Sequence, residues 1–232
     1  VTGTGAIYID ETNGVALGDG TSGISTNDGL IDITAGGAIT TGNTIASGTN
    51  GNIDIATTAD GITLSNGVTA NGSGAVTLDA AGLLTVNAAV SSTSGAIDAT
   101  GGTGVTHNAA GDLSTDNTID VTATANNITM VGGTVYDATS GNVTATAAGN
   151  VAIGEITTSG NVTVTATGGT IGDAATDAAA DISGNIADLT AGTGIGGAAA
   201  DADIDTTVTT VRAAVTGTGA IYIDETNGVA LG

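Results

Sequence analysis

Asp201, Asp203 and Asp205 occupy alternate positions of the segment DADID, and an extended chain would turn all three carboxylates to one face. Such a face suits calcium, which takes six to eight oxygens from carboxylates, amides and carbonyls. Asp173, Asp177, Asp181 and Asp188 lie just upstream. The Gly-Gly-x-Gly-x-Asp calcium repeat is absent, so the expectation is a partial site: no cofactor is required and calcium is the candidate ligand. Other chemistry is sparser. His107, the only histidine, sits in Gly104-Val105-Thr106-His107-Asn108 with no cysteine in the chain, and reads as a surface residue at a turn. Arg212 is the only basic residue. A lyase on a β-helix needs such a base, and a glycoside hydrolase needs a carboxylate pair. Acids are plentiful here, but none is set off by aromatic residues that would stack on a sugar. No acid, base and nucleophile can be assembled into a set, so no enzyme is expected.

The composition narrows the classes further. The 232 residues include 40 Gly and 23 acidic residues, three Tyr, and no Cys, Pro, Trp or Phe, with a formal charge of −22. Such a chain cannot neutralise a phosphate backbone, so nucleic acid is excluded as a partner, as is docking on anionic lipid. No apolar run reaches eighteen residues, so no membrane insertion is expected. Disorder is the obvious reading of so much glycine. Against it stands the recurrence of Ile and Val and a mean hydropathy of +0.32, which oblige the chain to bury its aliphatics or aggregate.

The positioning elements follow from two nested repeats. Residues 1–18 read VTGTGAIYIDETNGVALG, and residues 215–232 repeat this without a change, at an offset of 214. The division expected is one repeat unit over 1–214 and the start of a next tandem unit over 215–232. Within the unit, apolar–polar–apolar triplets recur: Ile7-Tyr8-Ile9, Ile31-Asp32-Ile33, Ile53-Asp54-Ile55, Val76-Thr77-Leu78, Ile119-Asp120-Val121 and Val162-Thr163-Val164. Alternation of period two marks short strands with one buried face. The string Gly-Asn-Ile/Val at Gly51, Gly141, Gly149, Gly160 and Gly184 supplies corners.

Strand after corner, about every 22 residues, describes a coil, and the spacing lies in the range of β-solenoid repeats. We expect an all-β parallel β-helix of nine or ten coils, its core laddered by Ile7, Ile9, Ile31, Ile33, Ile53, Ile55, Val76, Leu78, Ile119, Val121, Val162 and Val164. Opposite sheets only about 10 Å apart have no room for large aromatics at every coil. An antiparallel sandwich, the competing all-β architecture, would carry a buried aromatic and two-residue hairpins. Past Ile186 the register blurs, and the Ala- and Asp-rich stretches 173–181 and 197–205 are expected to loop out, the first with some helical tendency. Asp32, Asp54 and Asp120 would repel one another if they align on successive coils.

The segments Ala191-Gly192-Thr193-Gly194-Ile195-Gly196-Gly197, Ile204-Asp205-Thr206-Thr207-Val208, Gly219-Ala220-Ile221-Tyr222-Ile223 and Gly228-Val229-Ala230-Leu231-Gly232 resemble the repeats of giant filamentous-haemagglutinin-like surface proteins. The resemblance is closest over 182–232. It implies a right-handed β-helix, secretion, an extracellular or cell-surface location, and a role in adhesion or matrix; it brings no catalytic residues. Neither end sequence shows a cap, and open strand edges invite either continuation of the chain or another copy of it. The function expected is therefore a structural repeat of an extracellular filament stacked end to end, with the stalk or binding region of a large adhesin as the alternative.

Overall fold

A computed structural model describes residues 4–199 and 201–232. Among these residues the chain is a parallel β-solenoid of about ten coils, with no helix. Each regular coil contributes a strand to each of three sheets in turn. The sheets hold eleven, nine and ten strands, and their pairing is parallel throughout. In the first coils the order is Ile7–Glu11, Val15–Leu17 and Ile24–Thr26, then Ile31–Ala35, Ile39–Thr41 and Ile45–Ser47. The spacing is about 23 residues per coil.

Coil-on-coil register turns the sequence triplets into columns. In the first sheet Ile7 stands beside Ile31, Ile31 beside Ile53, Ile53 beside Val76, and the column continues through Ile97, Ile119, Val143 and Val162. Ile31, Ile33, Ile53, Ile55, Val76, Leu78, Ile119, Val121, Val162 and Val164 are fully buried, whereas Ile7 and Ile9 are half-buried because they lie in the end coil. A third inward column narrows to Ala35, Ala80, Gly101, Ala123, Ala147, Ala166 and Ala191. At Gly101 even a methyl group is too large: a Cβ there would lie 2.0 Å from the Gly104 carbonyl oxygen.

Hydroxyls and amides seal the corners. Thr26, Thr57, Ser92 and Thr115 donate from buried or half-buried positions to the carbonyls of Gly29, Asp60, Gly74 and Gly95 at 2.6–2.7 Å. Asn52, Asn127, Asn142 and Asn150 each accept a backbone N–H from the following coil. Asn185 donates to Asn161 at 3.1 Å, an amide ladder along the axis.

One register shift and two corrected expectations complete the local picture. Past Val162 the inward column passes to Ala187: Val162 pairs with Ala187 and Asn161 with Ile186, so Ala187, Leu189 and Ala191 face inward there. A slip of one residue exchanges every side chain between the faces. The stretch 173–181 is not helical. Asp173 accepts the N–H of Ala175 at 2.6 Å and of Asp177 at 3.2 Å, and Asp177 accepts that of Ala179 at 2.7 Å; these side-chain turns displace the helix. His107 is not at the surface. It is wholly buried in a second-sheet column between Val86 and Met130.

The two identical 18-residue segments take different places. In the first, Ile7–Glu11 lies in the first sheet and Val15–Leu17 in the second. In the other, Ile221 bridges Ile195 of the second sheet, Ile223–Glu225 lies in the third sheet, and Ala230–Leu231 returns to the first. The inward and outward alternation is kept, and only the sheet changes.

Candidate cation-binding centre

The loops expected near 173–181 and 197–205 leave the solenoid at one corner of consecutive coils. The first connects Thr170–Asp173 of the second sheet to Ile182–Ser183 of the third; the second connects Gly194–Ile195 to Ile204–Thr207. Asp173, Asp201 and Asp203 of these loops thereby come near enough to Asp205 to act on its charge. Gly196, at φ +64°, opens the second loop, and a Cβ on it would lie 2.2 Å from the Tyr222 carbonyl oxygen of the last coil. Glycine thus lets the last coil close over the loop.

The strand begins only at Ile204, so the three aspartates do not share one extended face. Asp201 adopts a left-handed turn conformation, φ +56°, and falls outside the close group. Asp203 and Asp205 are brought together, and the third member is Asp224 from the next coil, directly beside Asp205 in the sheet. One carboxylate oxygen from each of the three lies within 4.8 Å of the other two. Sequence reasoning missed Asp224 because it treated 215–232 as a copy of 1–18. The discoverable signal was the coil spacing, which sets Ile223-Asp224-Glu225 over Ile204-Asp205-Thr206.

Asp205 points away from the solenoid interior yet is only 9 % exposed, and its Oδ2 has no hydrogen-bond partner. Burial pushes its carboxyl pKa up, and the neighbouring charges of Asp203, Asp224, Asp173 and Asp201 add to the shift. Asp181 lies beneath it. The Asp205 N–H donates to Asp181 Oδ2 at 2.9 Å, and the Asp181 N–H donates to the Asp205 carbonyl at 2.9 Å. Burial drives Asp181 up to about 8 against the opposing pull of the Asp205 N–H, with Asp173 and Asp205 raising it further.

The remaining candidates for chemistry are engaged elsewhere. Arg212 approaches Asp188 at 4.0 Å on the outer face of the first sheet, both side chains about half exposed. His107 Nδ1 lies 2.7 Å from the Gly111 carbonyl oxygen, and its ring meets Tyr136 edge-on at 5.1 Å. Its Nε2 and the Tyr136 hydroxyl are buried without partners. Burial lowers the imidazole pKa to about 4 despite the Gly111 carbonyl and Asp112, so the ring is neutral at physiological pH and serves as core packing. The sequence did carry this signal: Val105-Thr106-His107 matches Leu84-Thr85-Val86 and Ile128-Thr129-Met130.

No family model, no curated protein and no solved structure matches the chain.

Proposed function

We propose that this chain is a structural repeat of an extracellular filament, stacked coaxially, of the kind found in filamentous-haemagglutinin-like surface proteins, and that it performs no catalysis. One observation carries the reading: the same 18 residues contribute to both end coils, and aliphatic side chains stand open at both ends. Ile9, Val15 and Ile24 are only partly covered at one end. Val211, Ala213, Ile221, Ile223, Val229 and Leu231 line an open hollow at the other. Exposed parallel edges with aliphatic side chains bury themselves against a further coil.

The same coils hold a restraint on that growth. Glu11 and Glu225 belong to the inward-facing alternation of their strands, and Glu225 Oε2 accepts the Thr206 hydroxyl at 2.7 Å. Inward-pointing charges on edge strands discourage indiscriminate pairing. They confine stacking to a neighbour whose end coil can seat a carboxylate. The outer faces, rich in Asp and Thr, keep parallel columns apart by like charge.

Negative-stain imaging and sedimentation across a concentration series test the proposal. Ten coils at about 4.8 Å each give a unit roughly 48 Å tall. Rods of constant width whose lengths grow in steps of that size support it. A population of single short particles at every concentration overturns stacking of separate copies.

A further inference from the structure

We propose that Asp203, Asp205 and Asp224 bind a hard divalent cation, calcium by preference, which fastens the last coil to the coil before it. The geometry admits a single ion. Calcium–oxygen distances near 2.4 Å place ligands on opposite sides of the ion about 4.8 Å apart, and the three aspartate oxygens all fall within that limit of one another. A buried, unpartnered carboxylate oxygen marks the spot independently: Asp205 Oδ2 has neither water access nor a hydrogen-bond donor. Such an orphan charge is costly unless paired or bound to a metal.

Among the described residues no cationic side chain is placed to supply the pairing. Asp205 and Asp224 stand directly opposite in adjacent strands, a destabilising arrangement for like charges. Arg212 is the only Lys or Arg in the chain, and it sits against Asp188 on the first sheet. His107 is held in the core. A cation from solution would supply the neutralising charge. Carboxylate oxygens are hard donors, and no sulfur or imidazole is at hand, which favours calcium over softer metals. Three protein carboxylates leave positions for water, and a flexible coordination sphere accepts ligands from a turn, a strand and a neighbouring coil more readily than the strict octahedron of magnesium.

The site depends on context. Asp10 holds the same position as Asp224 in the repeated segment, but it lies beside Thr34, so the segment forms this centre only where it follows the two acidic loops. This inference does not rest on filament formation, and it is tested on the dispersed single chain.

The test is calorimetric titration of chelator-treated protein with calcium chloride, paired with thermal melts and far-ultraviolet circular dichroism. Saturable binding of one calcium per chain, with a higher Tm, is the expected result. Asp205→Asn and Asp224→Asn should each weaken binding by about tenfold or more, since calcium affinity follows the charge of the ligand set. Asp10→Asn should leave it unchanged. Because Asp224 is exposed, its amide variant should keep the strand signal even where Asp205→Asn disturbs folding. Absence of heat and of a Tm shift in the unmodified protein overturns the proposal. So does calcium affinity in Asp224→Asn equal to that of the unmodified chain.

Discussion

Asp10 and Asp224 are the same residue of the same 18-residue segment, yet Asp10 stands beside Thr34 in the first sheet and Asp224 beside Asp205 in the third. The local structure of the two copies is alike. The Asn13 N–H donates to Glu11 Oε1 at 3.2 Å, and the Asn227 N–H donates to Glu225 Oε1 at 3.1 Å. What differs is the neighbouring coil. The first copy has Thr34 as its neighbour, whereas the second inherits the carboxylate of Asp205.

That difference sets the metal-free stabilities of two matched variants. Asp224→Asn removes a like-charge neighbour and should stabilise the calcium-free protein by roughly 0.2–1 kcal/mol. Asp10→Asn removes no directly opposed charge and should change little. Urea midpoints in chelator at low ionic strength measure both, and equal shifts for the two variants would contradict the register.

The outer face of the first sheet offers a second electrostatic prediction. Asp32 lies beside Asp54, and Asp98 beside Asp120, with Thr77 between the two pairs. Burial first, and then the charge of Asp120, raise the Asp98 carboxyl pKa. A carboxyl raised on folding binds protons more tightly in the native state, so its contribution falls as pH rises through its titration. Asp98→Thr, the residue this column carries at Thr77, should raise Tm at pH 7. The gain should shrink toward pH 3 and in high salt, as differential scanning calorimetry will show.

His107 gives the opposite sign. Its folded pKa, about 4, lies below the ordinary 6.5, so the unfolded chain binds more protons between those values. Its contribution is complete above pH 6.5 and declines as pH falls toward 4, by about 3 kcal/mol in all. Comparing unfolding free energies of the unmodified protein and His107→Met across this window isolates the effect. Parallel pH profiles for the two proteins would mean that the imidazole is not buried.

Core columns predict large and position-specific losses. Ile119 is fully buried between Ile97 and Val143 of adjacent coils, and Ile119→Ala should cost about 2–5 kcal/mol through lost burial and a cavity that stacked coils cannot collapse. Gly101→Ala adds a methyl group against the Gly104 carbonyl and should cost about 1–3 kcal/mol, although both adjacent coils carry Ala at that row. Chemical denaturation of both variants checks the pair. Tolerance of alanine at 101 would show that the corner relaxes freely.

Much of this was legible in the residues themselves. Alternation of Ile, Val and Leu with Thr and Asp, punctuated by Gly and Asn, leaves a parallel coil as the arrangement that buries so many small aliphatics without aromatics, and coil length follows from the spacing of the triplets. The inward column from Ile31 to Val164 needed nothing more. Taken by itself, His107 was not legible as a core residue because a side chain's face depends on register, and register in a parallel sheet is set by the coils on either side. The sequence by itself determined the strand, the corner and the inside–outside alternation, all of which are short-range properties of the backbone and its side chains. Only the tertiary structure decided which coil stacks on which, and hence that Asp224 rather than Asp201 joins Asp203 and Asp205. The physical reason is that pairing between coils is made by backbone hydrogen bonds, which are blind to side-chain identity, and the length of the intervening loops chooses the partner.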